Sequence, residues 1–264
     1  MADQPLGKTH AEITRDRSAL AGYQAVMVGD RSLGGLLRYE LSAWLGWIPG
    51  ALGLVLRKML WPYVLGSCGK GVQFGANVRL IHPRRIHLGD RVVIGDGCVL
   101  DARNPESERV IALGDDVMLS HGVMLSAKGG VISVGARCGL GAYTVVHASK
   151  GNPVTIGTDA AIGAGSYITG GGEYNMDRLT IPIWKQGTRV MGGTTVEDGV
   201  WLGAHAIVLG GATVGANSVV GAGSVVKGSI PAASVCAGVP ARVLRMREPA
   251  VNTRVGTTSR RPAD

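Results

Sequence analysis

The chain has 264 residues, enough for one large domain with extensions, and it carries a net charge of +8. Glycine contributes 42 residues, about twice its usual share, but it does not recur at every third position, so the composition excludes collagen. Aromatic residues make up only 5% of the chain. This indicates a thin core of Val, Ile, Leu and Ala rather than the core of an ordinary α/β domain.

The first 30 residues, 1–30, lack hydrophobic periodicity, and we predict that they are disordered. Asp3, Glu12 and Asp16 interrupt the first 20 residues, so no apolar stretch typical of a signal peptide is present. The four cysteines are scattered without the CxxC spacing of a zinc site. We interpret them as small buried residues of a reduced, cytoplasmic protein.

Residues 31–70 are predicted to form an amphipathic helical extension. Their apolar stretch from Leu41 to Leu56 is interrupted by Pro49 and is shorter than the about 20 residues of a membrane-spanning helix. The stretch ends at Arg57 and Lys58, and its aromatic residues are Trp44, Trp47, Trp61 and Tyr63. Two roles that do not exclude each other fit this pattern: a cap on the end of a repeat domain, or peripheral membrane contact through residues 41–66.

A six-residue repeat begins at Phe74. Near its end, Val208, Val214, Val220 and Val226 follow one another at steps of six, and small residues stand two positions before each of them. Three such hexamers make one triangular coil of 18 residues, with the aliphatic anchor pointing inward and glycine allowing the dihedral angles of the turn. We therefore predict an all-β fold, a left-handed parallel β-helix, over residues 71–230.

The repeat frame assigns the anchors to three edges of a prism with roughly six coils. The third edge carries Leu100, Leu125, Val146, Ile168, Val208 and Val226. Insertions occur almost only after this edge, and the longest spans residues 169–195. Long insertions of repeat proteins gather on the binding face, so this insertion is the candidate active-site loop.

The stretch from Glu197 to Arg245, which ends in AGVPARV and LR, resembles the C-terminal half of the hexapeptide-repeat acyltransferases, and the whole resemblance covers residues 70–247. It implies a homotrimer with acetyl-CoA in a groove between neighbouring subunits and a sugar or glycan acceptor. The best match is a sugar or polysaccharide O-acetyltransferase. A lipid-linked acceptor would place this cytoplasmic protein at the inner face of the membrane.

The resemblance also assigns the acetyl-CoA groove to particular residues. An exposed tryptophan would line it, two alanines would let the pantetheine arm approach the backbone, and a lysine and two arginines would meet the phosphates. These residues are Trp201, Ala204, Ala222, Lys227, Arg242 and Arg245. The C-terminal segment 231–247 is expected to be a short helix or tail, followed by a disordered basic tail over 248–264.

The catalytic base departs from the family pattern, because the loop holds no histidine where the sugar acetyltransferases have one. Glu173 stands at that place and could act if the subunit groove raised the pKa of its carboxyl. His147 is the second candidate, since Val146 lies one coil below Ile168 and places His147 at the root of the loop. His121 is a third choice.

Other loop side chains are candidates for acceptor binding. Four polar ones could orient sugar hydroxyls and one tryptophan could stack on a pyranose ring, although Asn175 and Asp177 have the alternative role of folding the loop. The candidates are Tyr174, Asn175, Asp177, Arg178 and Trp184.

Several alternatives remain open at this point. N-acyl transfer to an amino sugar and a non-catalytic scaffold both fit the repeat. A γ-type carbonic anhydrase shares the fold, but His82, His87 and His121 follow a different order from its zinc ligands, so no metal is predicted. Six arginines lie in the last 23 residues without a nucleic-acid-binding motif, so no nucleic-acid partner is predicted either.

Overall fold

A repeat with one aliphatic anchor every six residues produces three parallel sheets in the computed structural model, which describes residues 18–248. Each hexamer supplies a short strand and a turn, and three hexamers return the chain to the first sheet. The solenoid has about eight turns, more than the six that the repeat frame indicates, because Cys68, Phe74 and Leu80 already belong to a coil. The described residues contain 24 strands, numbered here in chain order.

The three sheets form the three faces of the prism. The first sheet contains β1 (Ser67–Cys68), β4 (Ile86–Leu88), β7 (Ile111–Leu113), β10 (Ile132–Val134), β13 (Val154–Ile156), β16 (Thr194–Val196), β19 (Thr213–Val214) and β22 (Ser229–Ile230). The second sheet contains β2 (Gln73–Phe74), β5 (Val93–Ile94), β8 (Met118–Leu119), β11 (Gly139–Leu140), β14 (Ala161–Ile162), β17 (Trp201–Leu202), β20 (Val219–Val220), β23 (Ser234–Gly238) and β24 (Ala241–Met246). The third sheet contains β3 (Arg79–Ile81), β6 (Val99–Asp101), β9 (Met124–Lys128), β12 (Val145–Ser149), β15 (Tyr167–Thr169), β18 (Ile207–Val208) and β21 (Val225–Val226).

The interior confirms the predicted anchors. Those of the third sheet, from Leu100 to Val226, are completely buried and belong to one continuous core. The small residues Ala206, Ala212, Ser218 and Ser224 are also buried, at the positions that the repeat predicts. All four cysteines are free, and three of them are buried.

The glycine at the second position of each hexamer has a different role from the one expected. Gly203 does not have the positive φ of a left-handed residue, whereas His205, two positions later, does. A Cβ atom on Gly203 would lie 2.5 Å from the backbone nitrogen of Ala222 in the next coil. Glycine is therefore required by the close stacking of successive turns rather than by its dihedral angles.

Helices precede the solenoid. They are α1 (Ala19–Tyr23), which continues into a π-helical turn over Gln24–Val28, α2 (Leu33–Trp47), α3 (Gly50–Leu60) and a 3-10 turn over Trp61–Tyr63. Ser32 caps α2 by accepting a hydrogen bond from the backbone N–H of Gly35. Within 1–30, where disorder was expected, residues 19–28 are thus helical, and residues 1–17 lie outside the described part of the chain.

The helical region covers the first coil of the solenoid. Trp61 is buried and packs edge-on against Phe74, with ring centroids 5.0 Å apart. Arg57 is also buried, and its guanidinium donates hydrogen bonds to the carbonyl groups of Phe74 at 3.1 Å, Leu45 at 3.1 Å and Ile48 at 2.7 Å. Arg57 and Trp61 therefore join the cap to the solenoid, although the sequence grouped them with the interfacial residues.

The opposite face of the helices is exposed and apolar. Trp44 and Trp47 are 74% and 78% exposed, and Leu33, Leu37 and Leu41 continue the same face of α2. In residues 18–248 no helix combines the length and the apolar character needed to cross a bilayer.

The C-terminal segment is a strand rather than the expected helix or tail. β24 pairs antiparallel with β23 and extends the second sheet, with Val235 opposite Arg245. This pairing covers the last coil with backbone hydrogen bonds. Residues 249–264, most of the expected basic tail, lie outside the described residues.

Candidate functional site

Polar side chains form one row along the outer side of the third sheet. Asp101, Ser126, His147 and Thr169 each follow a third-edge anchor, and they are paired in register from β6 to β15. Because the anchors point inward, these four side chains, here called the polar row, point outward. Asp101 and Ser126 are nevertheless buried and His147 is half-buried, so the insertions shield the row from solvent.

The position of His147 agrees with the frame read from the sequence, since it pairs with Thr169 at the root of the long loop. Burial lowers the pKa of its imidazole, and the nearby Lys128 ammonium acts in the same direction, while Asp101 and the backbone of Ser126 oppose them. The lowered pKa keeps the ring neutral at neutral pH. A neutral imidazole can accept a proton, which is the property required of a general base.

Asp101 is engaged in an ion pair next to His147. Its carboxylate accepts two hydrogen bonds from Arg103, at 2.8 and 2.6 Å, and lies 4.0 Å from the ammonium of Lys128. Two cations thus face one buried carboxylate.

The loop that follows β15 is fixed at both ends. Thr169 forms hydrogen bonds with the backbone of Gly171, and the Thr194 hydroxyl donates to the carbonyl of Thr169 at 2.7 Å. The buried Asn152 holds the far side, because its Oδ1 accepts from the backbone N–H of Met191 at 2.6 Å. A Cβ atom on Gly171 would lie 2.7 Å from that same oxygen, so the close approach of Asn152 explains the glycine.

The loop places Glu173 at the surface. Its carbonyl accepts a hydrogen bond from the backbone of Arg189 at 2.7 Å, but its side chain is exposed in the single chain. The burial that would make it a base depends on a neighbouring subunit.

Two of the predicted acceptor residues have partners inside the loop. Asn175 donates to the carbonyl of Gln186 at 3.0 Å and accepts from Arg189 at 3.2 Å, and Asp177 forms an ion pair with Arg189 at 3.2 Å. These contacts fit their alternative role in folding the loop. The side chains of Tyr174, Arg178 and Trp184 are exposed, and the ammonium of Lys185 lies 5.1 Å from the Trp184 ring centroid.

The predicted acetyl-CoA residues are divided between two parts of the solenoid. Trp201, which is 56% exposed, shares a register position on the second sheet with Val219, Val235 and Arg245, about three strand spacings of ~4.8 Å apart along the sheet. Ala204 and Ala222 are exposed in successive turns between the second and third sheets. Arg242 lies on β24, while Lys227 follows β21 at the end of the third sheet.

The structure also identifies site residues that the sequence analysis missed. Asp101 and Ser126 could have been found, because they hold the same position after a third-edge anchor as His147. Asn152 and Arg189 gave no signal, since their partners are distant in sequence and lie in an irregular loop.

The three histidines considered as zinc ligands have separate surroundings. His82 contacts the carbonyl of Ala25 at 3.0 Å, and His87 contacts the carbonyl of Glu108 at 3.0 Å. The ring of His121 packs edge-on against Tyr143, with centroids 4.9 Å apart. Over residues 18–248, no three His, Cys, Asp or Glu side chains are arranged to hold a metal ion.

Comparison with known proteins places these features among transferases. A family model described as bacterial transferase hexapeptide (six repeats) matches residues 193–228, and one described as hexapeptide repeat of succinyl-transferase matches residues 67–102 and 131–170. The putative lipopolysaccharide biosynthesis O-acetyl transferase WbbJ of Escherichia coli is 36% identical over 141 residues, which cover 51% of this chain and 71% of that protein.

Two further relatives are more distant. The probable acetyltransferase Rv3034c of Mycobacterium tuberculosis is 29% identical over 170 residues, which cover 64% of this chain and 54% of that protein, so the chain spans about half of its length. AntD, an N-acyltransferase from Bacillus cereus solved with dTDP and 3-hydroxybutyryl-CoA, is similar in fold, with a TM-score of 0.52 and 21% identity over 73% of this chain and 88% of AntD.

Proposed function

This chain belongs to the bacterial hexapeptide transferase family, and on that basis we propose that it transfers an acyl group from acyl-CoA to an acceptor. The acceptor is a sugar hydroxyl of a polysaccharide or lipid-linked glycan precursor, and the donor is acetyl-CoA. The name of the relative WbbJ supports O-acetyl transfer. The N-acyltransferase AntD, solved with an acyl-CoA, keeps transfer to an amino sugar as the second candidate.

One observation carries the proposed mechanism: a neutral, half-buried His147 lies in register with Thr169 beneath the longest insertion. The thioester of the donor supplies an activated acyl carbon. His147 accepts the proton of the acceptor hydroxyl as its oxygen bonds to that carbon, and the proton then passes to the sulfur as the carbon–sulfur bond breaks. Glu173 is the alternative base and requires burial between subunits.

The exposed residues of the second sheet suit the donor. Ala204 and Ala222 present small side chains at successive turns, which lets an extended chain lie close to the backbone. Arg242 and Arg245 are exposed, and none of the carboxylates in residues 18–248 lies within ion-pair distance of either. Unpaired guanidinium groups are suited to bind phosphate.

An apolar row of side chains on the outside of the prism supports a homotrimer. The residue before each anchor points outward, and we call these residues the outer row of a sheet. The outer row of the third sheet begins with Arg79, and all its other residues are apolar or aromatic. These residues are Val99, Met124, Val145, Tyr167, Ile207 and Val225. Apolar outer surface that another copy covers is removed from water, and a groove between copies would then lie beside the polar row.

The helical extension supports a place at the inner face of the membrane. Trp44, Trp47 and Tyr63 are at least 74% exposed, and aromatic side chains of this kind partition to the membrane interface. The protein is thus a cytoplasmic, peripheral enzyme in this proposal.

The test is acyl transfer by the purified full-length chain with radiolabelled acetyl-CoA and a panel of oligosaccharides and amino sugars. We expect label in an oligosaccharide that mild alkali releases, because an ester is labile where an amide is stable. Label that resists alkali would replace O-transfer by N-transfer. A chain that neither binds CoA nor transfers the label to any acceptor would contradict the proposal and favour a scaffold.

A further inference from the structure

An apolar pocket lies outside the site described above, between the helical region and the first strand of the third sheet. Its volume is about 600 Å³, within the roughly 300–1,000 Å³ typical of sites that enclose small ligands. The lining comes from α1 and its π-helical continuation, α2, the 3-10 turn and β3, and it includes Met27, Tyr39, Ala43, Trp47, Trp61 and Leu80.

Three of the polar side chains in the pocket wall already have partners. The indole N–H of Trp61 donates to the carbonyl of Ser42 at 3.1 Å, and the Ser42 hydroxyl donates to the carbonyl of Tyr39 at 2.7 Å. The phenol of Tyr23 donates to the carboxylate of Glu40 at 2.6 Å. Since these groups are satisfied, most of the surface that remains for a ligand is hydrocarbon, which favours an aliphatic chain.

One charged side chain stands in this otherwise apolar lining. Arg79 is exposed at the pocket, beside Asn77, and its positive charge acts on the Tyr39 phenol. No carboxylate of residues 18–248 lies within ion-pair distance of Arg79. A free guanidinium beside a hydrocarbon-lined pocket is complementary to an amphiphile whose head is anionic.

The pocket borders the exposed helical face and lies on the same sheet as the polar row. Trp47 lines the pocket and is 78% exposed, so the pocket borders the surface proposed to meet the membrane. Ile81, two residues after Arg79, leads through Asp101 and Ser126 to His147 along one register position. Three strand spacings separate Ile81 from His147, a distance of about 14 Å.

We propose that this pocket binds the hydrocarbon chain of a single-chain lipid phosphate taken from the membrane, with the phosphate against Arg79. The lipid would be the anchor of the glycan acceptor, and that role rests on the proposed function. Binding itself requires no acyl transfer, so a chain that binds lipid but transfers no acyl group would overturn only the proposed function.

The experiment measures displacement of the fluorescent fatty acid cis-parinaric acid from the full-length chain by dodecyl phosphate and by dodecanol. We expect both to displace the probe. Ala43→Phe introduces a ring into the pocket from an exposed position and should lower the affinity for both ligands at least about tenfold. Ala51→Phe, on an exposed position of α3 outside the pocket, should leave both unchanged.

The head group is tested by Arg79→Gln, with Arg38→Gln on exposed α2 as the matched control. Arg79→Gln should lower the affinity for dodecyl phosphate about tenfold and leave the affinity for dodecanol unchanged, since only the phosphate pairs with the guanidinium. Equal effects of Ala43→Phe and Ala51→Phe would place binding on the general helical surface and overturn the proposal. Absence of probe binding would also overturn it.

Discussion

The first and third sheets have the same interior but opposite outer surfaces. Apart from the half-buried Cys68 of the first sheet, the anchors of both sheets are aliphatic and buried. The outer row of the third sheet is apolar from Val99 to Val225, whereas that of the first sheet consists mainly of hydroxyl side chains: Ser67, His87, Ala112, Ser133, Thr155, Thr195, Thr213 and Ser229. The interior therefore determines the fold, and the outer rows distinguish a face suited to water from one suited to a partner.

The two sheets also differ in the residues that directly follow their anchors. On the third sheet a polar residue follows each of four successive anchors, and insertions bury the first two of these polar residues, Asp101 and Ser126. At the corresponding position of the first sheet the chain turns at once, as at Gly89, Gly114 and Gly135, and those glycines allow the turns to stack. Of these two sheets in residues 18–248, the third is therefore the one better suited to form a shielded site.

The largest expected effect comes from placing a charge on the apolar outer row. Tyr167→Asp should convert the proposed trimer to monomers and abolish acyl transfer, because the carboxylate would lose its hydration inside the proposed subunit contact. Sedimentation equilibrium measures this as a fall in mass from three times the 27.3 kDa of one chain to a single copy.

The matched control is Thr155→Asp, an exposed residue in the outer row of the first sheet. It should leave both mass and activity unchanged. If both variants remained trimeric, or if the Thr155 variant alone dissociated, the assignment of the two faces would be wrong.

A smaller effect is expected at the N-terminal end, where the cap covers the first coil. Arg57→Met removes hydrogen bonds to three carbonyl groups, each of which costs about 1–3 kcal/mol when left unpaired, so the free energy of unfolding should fall by at least about 3 kcal/mol. Urea denaturation followed by tryptophan fluorescence measures the change.

Lys58→Met is the control, since Lys58 is the exposed neighbour on α3 and its loss should cost less than about 0.5 kcal/mol. Equal unfolding midpoints for the two variants would show that Arg57 does not hold the cap.

The parts of the molecule that follow the six-residue repeat could be predicted from the sequence. The six third-edge anchors from Leu100 to Val226, the insertions that follow them and the register of His147 with Thr169 follow from the six-residue step. The partners of Arg57 could not be predicted, because its carbonyl acceptors reach to Phe74, 17 residues away. Asn152 likewise meets Met191 across 39 residues, and no periodic signal connects them.

The choice of base was open in the sequence for a similar reason. Glu173 stands where the family has a histidine in the loop, but its position in the sequence does not reveal the burial or the neighbouring charges of its carboxyl. Burial and the Lys128 charge, which lower the pKa of His147, arise from strands 19 or more residues apart and become visible only when the coils stack.

The most direct test of the mechanism is the pH dependence of kcat/KM for the full-length chain and two variants. His147 must be neutral to act, so activity should fall as the pH drops through its pKa, which burial holds below the ordinary value of about 6.5. His147→Asn should remove this acidic limb and lower kcat/KM at least about a hundredfold. Glu173→Gln should retain the acidic limb and leave kcat/KM unchanged. An acidic limb that persists in His147→Asn and disappears in Glu173→Gln would contradict the account and identify Glu173 as the base.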